Sequence, residues 1–236
     1  MFPSPPNHQD RNRFQSEIGR LLTLFVLALS VSGCSSITLM VSRAVFGDAH
    51  TDAAFHTATG KDLTRGHNAV VIFCSAPTAI TESSANLPAD LQGELYMRMK
   101  KNGIKVVDPN KVISVLDRAS GRFDAQKLAD EFPEATDFFH VVIEKYTDRE
   151  PSSGHMYRGR ARGIVYCYEA KSDPDDPKAK RHVVRSFEKE FQSEYPKTYP
   201  LSAEQISKKV FQRQFIDNVA DRIGEIFYDV PLSEAN

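Results

Sequence analysis

The apolar positions of this chain fall into alternating strand and helix periods from residue 69 onward. Residues 69–74 (AVVIFC) are apolar throughout and rich in β-branched side chains, and they stop at Ser75-Ala76-Pro77. A run that is apolar on both parities predicts a central strand covered on both faces. After a polar loop over residues 78–87, Pro88 stands where a helix takes its first residue. Leu91, Leu95 and Met99 then recur every fourth position and draw one apolar stripe. Lys100 and Lys101 suit the negative end of that helix, and Gly103 suits its left-handed cap. Residues 104–107 (IKVV) predict a short strand, and the tight joints predict a parallel crossover back to the first one.

Asp108-Pro109 combines an N-cap with a proline at the first helical position and starts a helix carrying Val112, Ile113 and Leu116, broken at Gly121. Asp124 caps a second short helix with Leu128, Ala129 and Phe132, ended by Pro133. Residues 137–143 predict a third strand. Residues 160–169 predict a fourth, with two unlike parities. Ala161, Gly163, Val165 and Cys167 are small or apolar and are expected to face the core; Arg158, Arg160, Arg162, Ile164, Tyr166 and Tyr168 are expected to face outward. Residues 171–180 read as a hairpin loop and residues 182–191 as a charged edge strand. Ser202 with Gln205 fits a capping box, opening a long helix to about Phe227 with Phe211, Phe215, Val219, Ile223 and Ile226 along one side. The expected fold is α/β: a two-layer sandwich of a mixed five-stranded sheet with helices, in the order β-α-β-α-α-β-β-β-α, with a long C-terminal helix.

The first 66 residues follow another pattern. Arg11, Arg13 and Arg20 precede an apolar run over residues 21–31, and small residues lead to Cys34. A positive region, an apolar region and a small-residue exit describe a secretory signal. The exit Val31-Ser32-Gly33-Cys34 resembles the lipobox of bacterial lipoproteins. On that resemblance residues 1–33 are a signal peptide and Cys34 is the lipidated N-terminus. Residues 34–66 then form the tether, residues 67–231 the domain and residues 232–236 a tail. Ser35, rather than Asp, is what outer-membrane sorting favours in the best-known diderm bacteria. The alternative is an uncleaved anchor. The 11 residues of the apolar run fall short of the roughly 20 a spanning helix needs, although residues 37–41 make an extension conceivable.

Composition narrows the chemistry. A net charge of −1 gives no general pull toward nucleic acid or anionic membrane. Cys74 and Cys167 remain beside Cys34 in what is then an oxidising compartment, either as buried thiols or as a disulfide. No nucleophile elbow, P-loop or zinc-protease pattern is present. His50, His56 and His67 lack ligand spacing, and His140 lies inside a strand. Asp173, Asp175 and Asp176 are interrupted by Pro174 and Pro177, so they read as a turn rather than a calcium loop. No metal, cofactor or catalytic set is expected. The candidate partner-binding strip is Arg158, Arg160 and Arg162 continued by Tyr166 and Tyr168, residue types favoured at interface hot spots.

The element order, residues 69–74 as first strand, residues 95–107 with their Asn-Gly turn, and Ala135-Thr136-Asp137-Phe138-Phe139 as entry to a strand carry a resemblance over residues 67–230. They resemble the small α/β domain of the curli-secretion lipoprotein, the lipoprotein activator of penicillin-binding protein, and the N-terminal domain of the Tol translocation β-propeller protein. The resemblance implies a non-enzymatic periplasmic adaptor or assembly protein, held to the outer membrane through Cys34 and bound to another envelope protein. The other readings are a secreted enzyme with an unrecognised site and a subunit of an outer-membrane secretion channel.

Overall fold

The computed structural model describes residues 50–119, 121–173 and 180–231. The signal-like stretch, Cys34, Asp175, Asp176 and the 232–236 tail lie outside them. In chain order the elements are β1 (His50–Thr51), α1 (Ala54–Thr59), β2 (Ala69–Ser75), α2 (Thr78–Thr81), α3 (Leu87–Lys101), α4 (Pro109–Asp117), α5 (Ala125–Glu131), β3 (Ala135–Thr147), β4 (Met156–Tyr157), β5 (Gly159–Lys171), β6 (His182–Tyr195), β7 (Leu201–Ser202), α6 (Lys208–Phe227) and β8 (Val230–Pro231).

The main sheet has the order β2-β3-β5-β6. β2 runs parallel to β3, and the two other pairings are antiparallel, so the sheet is mixed. The chain is an α/β sandwich. The strand expected over residues 104–107 narrows to one parallel bridge, Val70 to Val106. The reason lies on both sides of it. Asp108 turns the chain at once into α4 by accepting from the Asn110 N–H at 2.9 Å. Farther along the same edge of β2, the Cys74 N–H donates to the Gln92 side chain of α3 at 3.0 Å, so a helix side chain takes the place of a strand.

The two faces of the sheet are covered unequally. Val70, Ile72, Cys74, Phe139, Val141, Val165 and Cys167 face α3 and α6 and form the larger core, completed by Leu91, Leu95, Met99, Phe211, Phe215 and Ile223. α3 and α6 run side by side in parallel, since Glu94 meets Arg213 while Arg98 meets Asp217 and Asp221. Gly103 ends the turn after α3 at φ +81°, a conformation glycine adopts without a side-chain penalty. On the opposite face α4 and α5 bury Val71 and Phe138 with Val112, Leu116, Leu128 and Phe132. This second, smaller cluster adds a partial third layer over one part of the sheet.

Two boundaries differ from the sequence reading. The capping serine of the last helix is Ser207, which accepts from the Val210 N–H, not Ser202. Ser202 is held instead in the β4–β7 pairing opposite Met156, and the chain turns between it and Ile206. The domain also begins at His50 rather than residue 67. β1 pairs with β8, and Phe55 of α1 is fully buried between Phe139 and Phe187, with ring centroids 5.2 and 5.3 Å away. Residues 50–66 belong to the folded domain, with Ala53, Phe55 and Leu63 buried, which leaves residues 34–49 of the expected tether.

Lys61 adds a polar lock to the same segment. Its Nζ lies 3.0 Å from Asp137 Oδ1 and 2.8 Å from Glu169 Oε1. The side chain of Asp137 is only 5% exposed, so its charge needs that partner. Although burial opposes the charged amine, hydrogen bonds and charge from Glu169 and Asp137 hold Lys61 above the usual lysine range. The Lys61 hydrogen bond holds Glu169 below the usual carboxylate range. The raised base contributes stability that is lost as pH rises above 10.5; the lowered acid contributes stability that is lost as pH falls below 4.5. Lys61→Met is therefore expected to destabilise by about 1–2 kcal/mol between these limits. That is below the roughly 3–5 kcal/mol for breaking a fully buried pair, because Lys61 is 38% exposed. Melting temperatures of both proteins from pH 3 to 11 check it: the gap should be widest near neutrality and close toward acid.

Candidate partner-binding face

β5 alternates sharply because it has a core on one side and a partly uncovered face on the other. Ala161, Gly163, Val165 and Cys167 are buried, whereas Arg160, Ile164, Tyr166 and Tyr168 are half-buried and Arg162 is exposed. Arg158 lies between β4 and β5. The five strip residues therefore share one side of the sheet, but they are not a free cationic row. Arg158 and Arg160 both reach Glu150 and Glu194, at 3.3–3.5 Å. Arg158, 18% exposed, also donates to the Thr198 carbonyl. Arg162 meets Glu190 at 3.3 Å. Arg185 lies 5.7 Å from the centre of the Tyr166 ring, and Tyr168 packs on Phe123 with centroids 5.4 Å apart. Glu150, Glu190 and Glu194 are the partners that sequence reading missed. Alternation along the predicted edge strand over residues 182–191 was the available signal for Glu190; Glu194 lies on the extension of that strand to Tyr195.

The rows of this outer face follow from the register. His140 stands opposite Tyr166, Val142 opposite Ile164, and Lys145 opposite Arg162. On the next strand Tyr166 stands opposite Glu188, Ile164 opposite Glu190 and Arg162 opposite Gln192. α4 and α5 cover the rows at Phe138 and Tyr168; Val142 and Ile164, half-buried, join neither core cluster.

His140 marks the border of the covered part. Its ring stacks on Phe123 at 4.2 Å, and its Nε2 lies 2.7 Å from Ser75 Oγ. Burial pushes this imidazole down to about 4, so it is neutral at pH 7. A serine beside a neutral histidine is half of a nucleophilic pair. Among the described residues no carboxylate bonds to the ring, so the orienting third group of a triad is not supplied. The two thiols lie elsewhere. Cys74 and Cys167 are both free and buried, and burial pushes both well above the usual thiol range. β3 separates their strands, and Cys74 and Cys167 align with different residues of it, Val141 and Phe139. The disulfide left open by the sequence is not formed, since it needs Cα atoms within about 7 Å.

A recess of about 690 Å³ opens where α3 and α6 begin, lined by Asn86, Asp90, Glu94, Tyr146, Lys208 and Arg213 among others. Its cations are largely neutralised: Lys208 faces Asp148 at 3.5 Å and Arg213 faces Glu94 at 2.9 Å. Among the described residues no cluster of three or more His, Cys, Asp and Glu side chains has metal-site geometry, and no helix is long and apolar enough to cross a membrane.

No protein-family model and no curated protein matches the chain. Solved structures do. A hypothetical protein of Chlamydia trachomatis is similar at 10% identity and a TM-score of 0.41, covering 69% of this chain and 98% of that one. A lipoprotein of Neisseria meningitidis is similar at 8% identity and 0.37, covering 66% and 97%. The PelC dodecamer of Paraburkholderia phytofirmans is similar at 9% identity and 0.36, covering 76% and 96%. At these scores the likeness carries no functional argument.

Proposed function

We propose that this chain is a membrane-anchored lipoprotein of the bacterial envelope that acts as a non-enzymatic adaptor or assembly factor for another envelope protein. One observation carries the adaptor part. The outer face of the sheet leaves Val142, Ile164 and Tyr166 half-exposed amid charged side chains, without the helix layer that covers the neighbouring rows. Apolar side chains grouped on one face and rimmed by charge support a binding face. The anchoring part rests on the lipobox-like Val31-Ser32-Gly33-Cys34, with residues 34–49 between the lipid and the domain. Two or more acyl chains there give firm attachment, because each buried methylene contributes about 0.8 kcal/mol. Ser35, rather than Asp, supports placement in the outer membrane.

Intact-mass measurement on membrane-extracted protein tests the anchor, with Cys34→Ala beside the wild type. The wild type should begin at residue 34 with added lipid, and the variant should carry no lipid and keep residues 1–33. A wild-type mass that retains residues 1–33 without lipid would overturn the lipoprotein reading. A hydrolase is the second reading, and the 2.7 Å contact of Ser75 with His140 is the observation that favours it. The adaptor reading is preferred because the pair lacks an orienting carboxylate among the described residues and sits on a sheet face rather than in the polar recess.

A further inference from the structure

We infer that the uncovered outer face binds an amphipathic helix of another envelope protein, with an apolar stripe on Val142, Ile164 and Tyr166 and acidic residues at the end that meets Lys145 and Arg162. The inference deepens the adaptor reading and rests on it. Its first support is a local charge arrangement that the isolated domain compensates only in part. Lys145 and Arg162 are Cα partners across β3 and β5, so both project on the outer face. Like charges directly opposite one another destabilise a sheet. Arg162 has Glu190 at 3.3 Å, but Lys145, exposed, has no ion-pair or hydrogen-bond partner among the described residues. The register places this pair there: the strand shifts between Ile143 and Lys145, which makes Glu144 an extra residue and sets Lys145 against Arg162. A rule broken locally at an exposed position marks a site whose compensation comes from outside. Carboxylates facing these two cations supply it.

Geometry selects a helix as the occupant. α4 and α5 already form a helical layer on this face, and they stop short of the rows at Val142–Ile164 and Lys145–Arg162. From His140 to Thr147 the sheet runs about 23 Å, the length of a helix of about 15 residues. Sheet edges offer a poorer alternative for a peptide. β6 carries Arg185, Glu188, Lys189 and Glu190 along its exposed length, which deters strand addition, and the edge of β2 is taken by Val106 and Gln92.

The test places a photoreactive p-benzoylphenylalanine at position 164 of the full-length, membrane-anchored chain in its own cells, with separate controls at Met97, Tyr199 and Val210. Adducts are sequenced by mass spectrometry. Position 164 should capture one foreign peptide with helical apolar periodicity and Asp or Glu at one end of the apolar stripe. Lys145→Glu with Arg162→Glu should lower that yield about tenfold, read at a temperature where the variant is still folded, and Lys145→Gln should lower it less. Adducts at 164 to a second copy, to lipid or to a peptide without acidic residues at one end of its apolar stripe, adducts only at the control positions, or a yield indifferent to charge reversal would overturn the helix inference and leave the adaptor reading standing. Absence of protein adducts at all four positions would overturn the adaptor reading itself.

Discussion

Replacing Phe55 with alanine is expected to destabilise the domain by about 4 kcal/mol, within the roughly 3–5 kcal/mol span for deleting a buried phenylalanine. The ring is fully buried and stands edge-on to Phe139 and Phe187, with interplanar angles of 76° and 82°. Edge-to-face pairs add to the burial itself. The element that presents it, α1, has six residues and is too short to hold its own conformation in water. Its order comes from Phe55 in the core, from the Ala53 N–H donating to Asp229 at 2.8 Å, and from Lys61 on Asp137 and Glu169. Loss of the ring should therefore release residues 50–66 first. Urea unfolding gives the stability difference, and limited proteolysis should cut Phe55→Ala within residues 50–66 before any other site. For a domain of this size the melting temperature should fall by about 10 °C. Wild-type stability in Phe55→Ala would return these residues to the role of tether.

That segment also shows where sequence reading reaches its limit. Along α3, Leu91, Leu95 and Met99 announced the buried stripe by spacing, and all three are fully buried. β5 announced its faces by alternation. α1 offers a single large apolar residue in AFHTAT, too few positions to establish a period. Its partners, Phe139 and Phe187, lie far along the chain, and no local pattern encodes a contact across such a separation. Lys61 with Asp137 and Glu169 is hidden in the same way. Ser202 fits a capping box locally, but its pairing with Met156 across the chain leaves Ser207 as the cap. The arginine row was legible as a parity, but its neutralisation by Glu150 and Glu194 depends on a turn and an edge strand that only the fold brings together. The unpaired Lys145 was invisible because the irregularity after Ile143 changes which face it occupies.

Gly163→Ala is expected to cost about 3 kcal/mol or more, the upper part of the range for overpacking a tight site. A Cβ at this position would lie 2.8 Å from the Phe191 ring and closer still to the Val142 carbonyl oxygen. Phe191, 4% exposed, is locked in the core. The Val142 carbonyl is backbone in the middle of β3, so it cannot move without parting the strands. Glycine in a strand otherwise weakens it, and an alanine that fitted would be a gain; the close approach reverses the sign. Gly93 supplies the internal control. It lies within α3 with nothing within 4 Å of the added Cβ, so Gly93→Ala should stabilise by about 0.5–1 kcal/mol through helix propensity and a less flexible unfolded chain. Denaturant unfolding of the two variants should move the midpoint in opposite directions. Gly163 also faces Ile143, immediately before the shift that sets Lys145 against Arg162. A strand pushed away there loses the row on which the acidic end of the helix would sit. In photo-crosslinking, Gly163→Ala at a temperature where it is still folded should therefore lower the yield at position 164, while Gly93→Ala leaves it unchanged. A Gly163→Ala protein as stable as the wild type would mean that β3 and β5 separate at this point without cost, and the fixed register behind the cationic pair would fall with it.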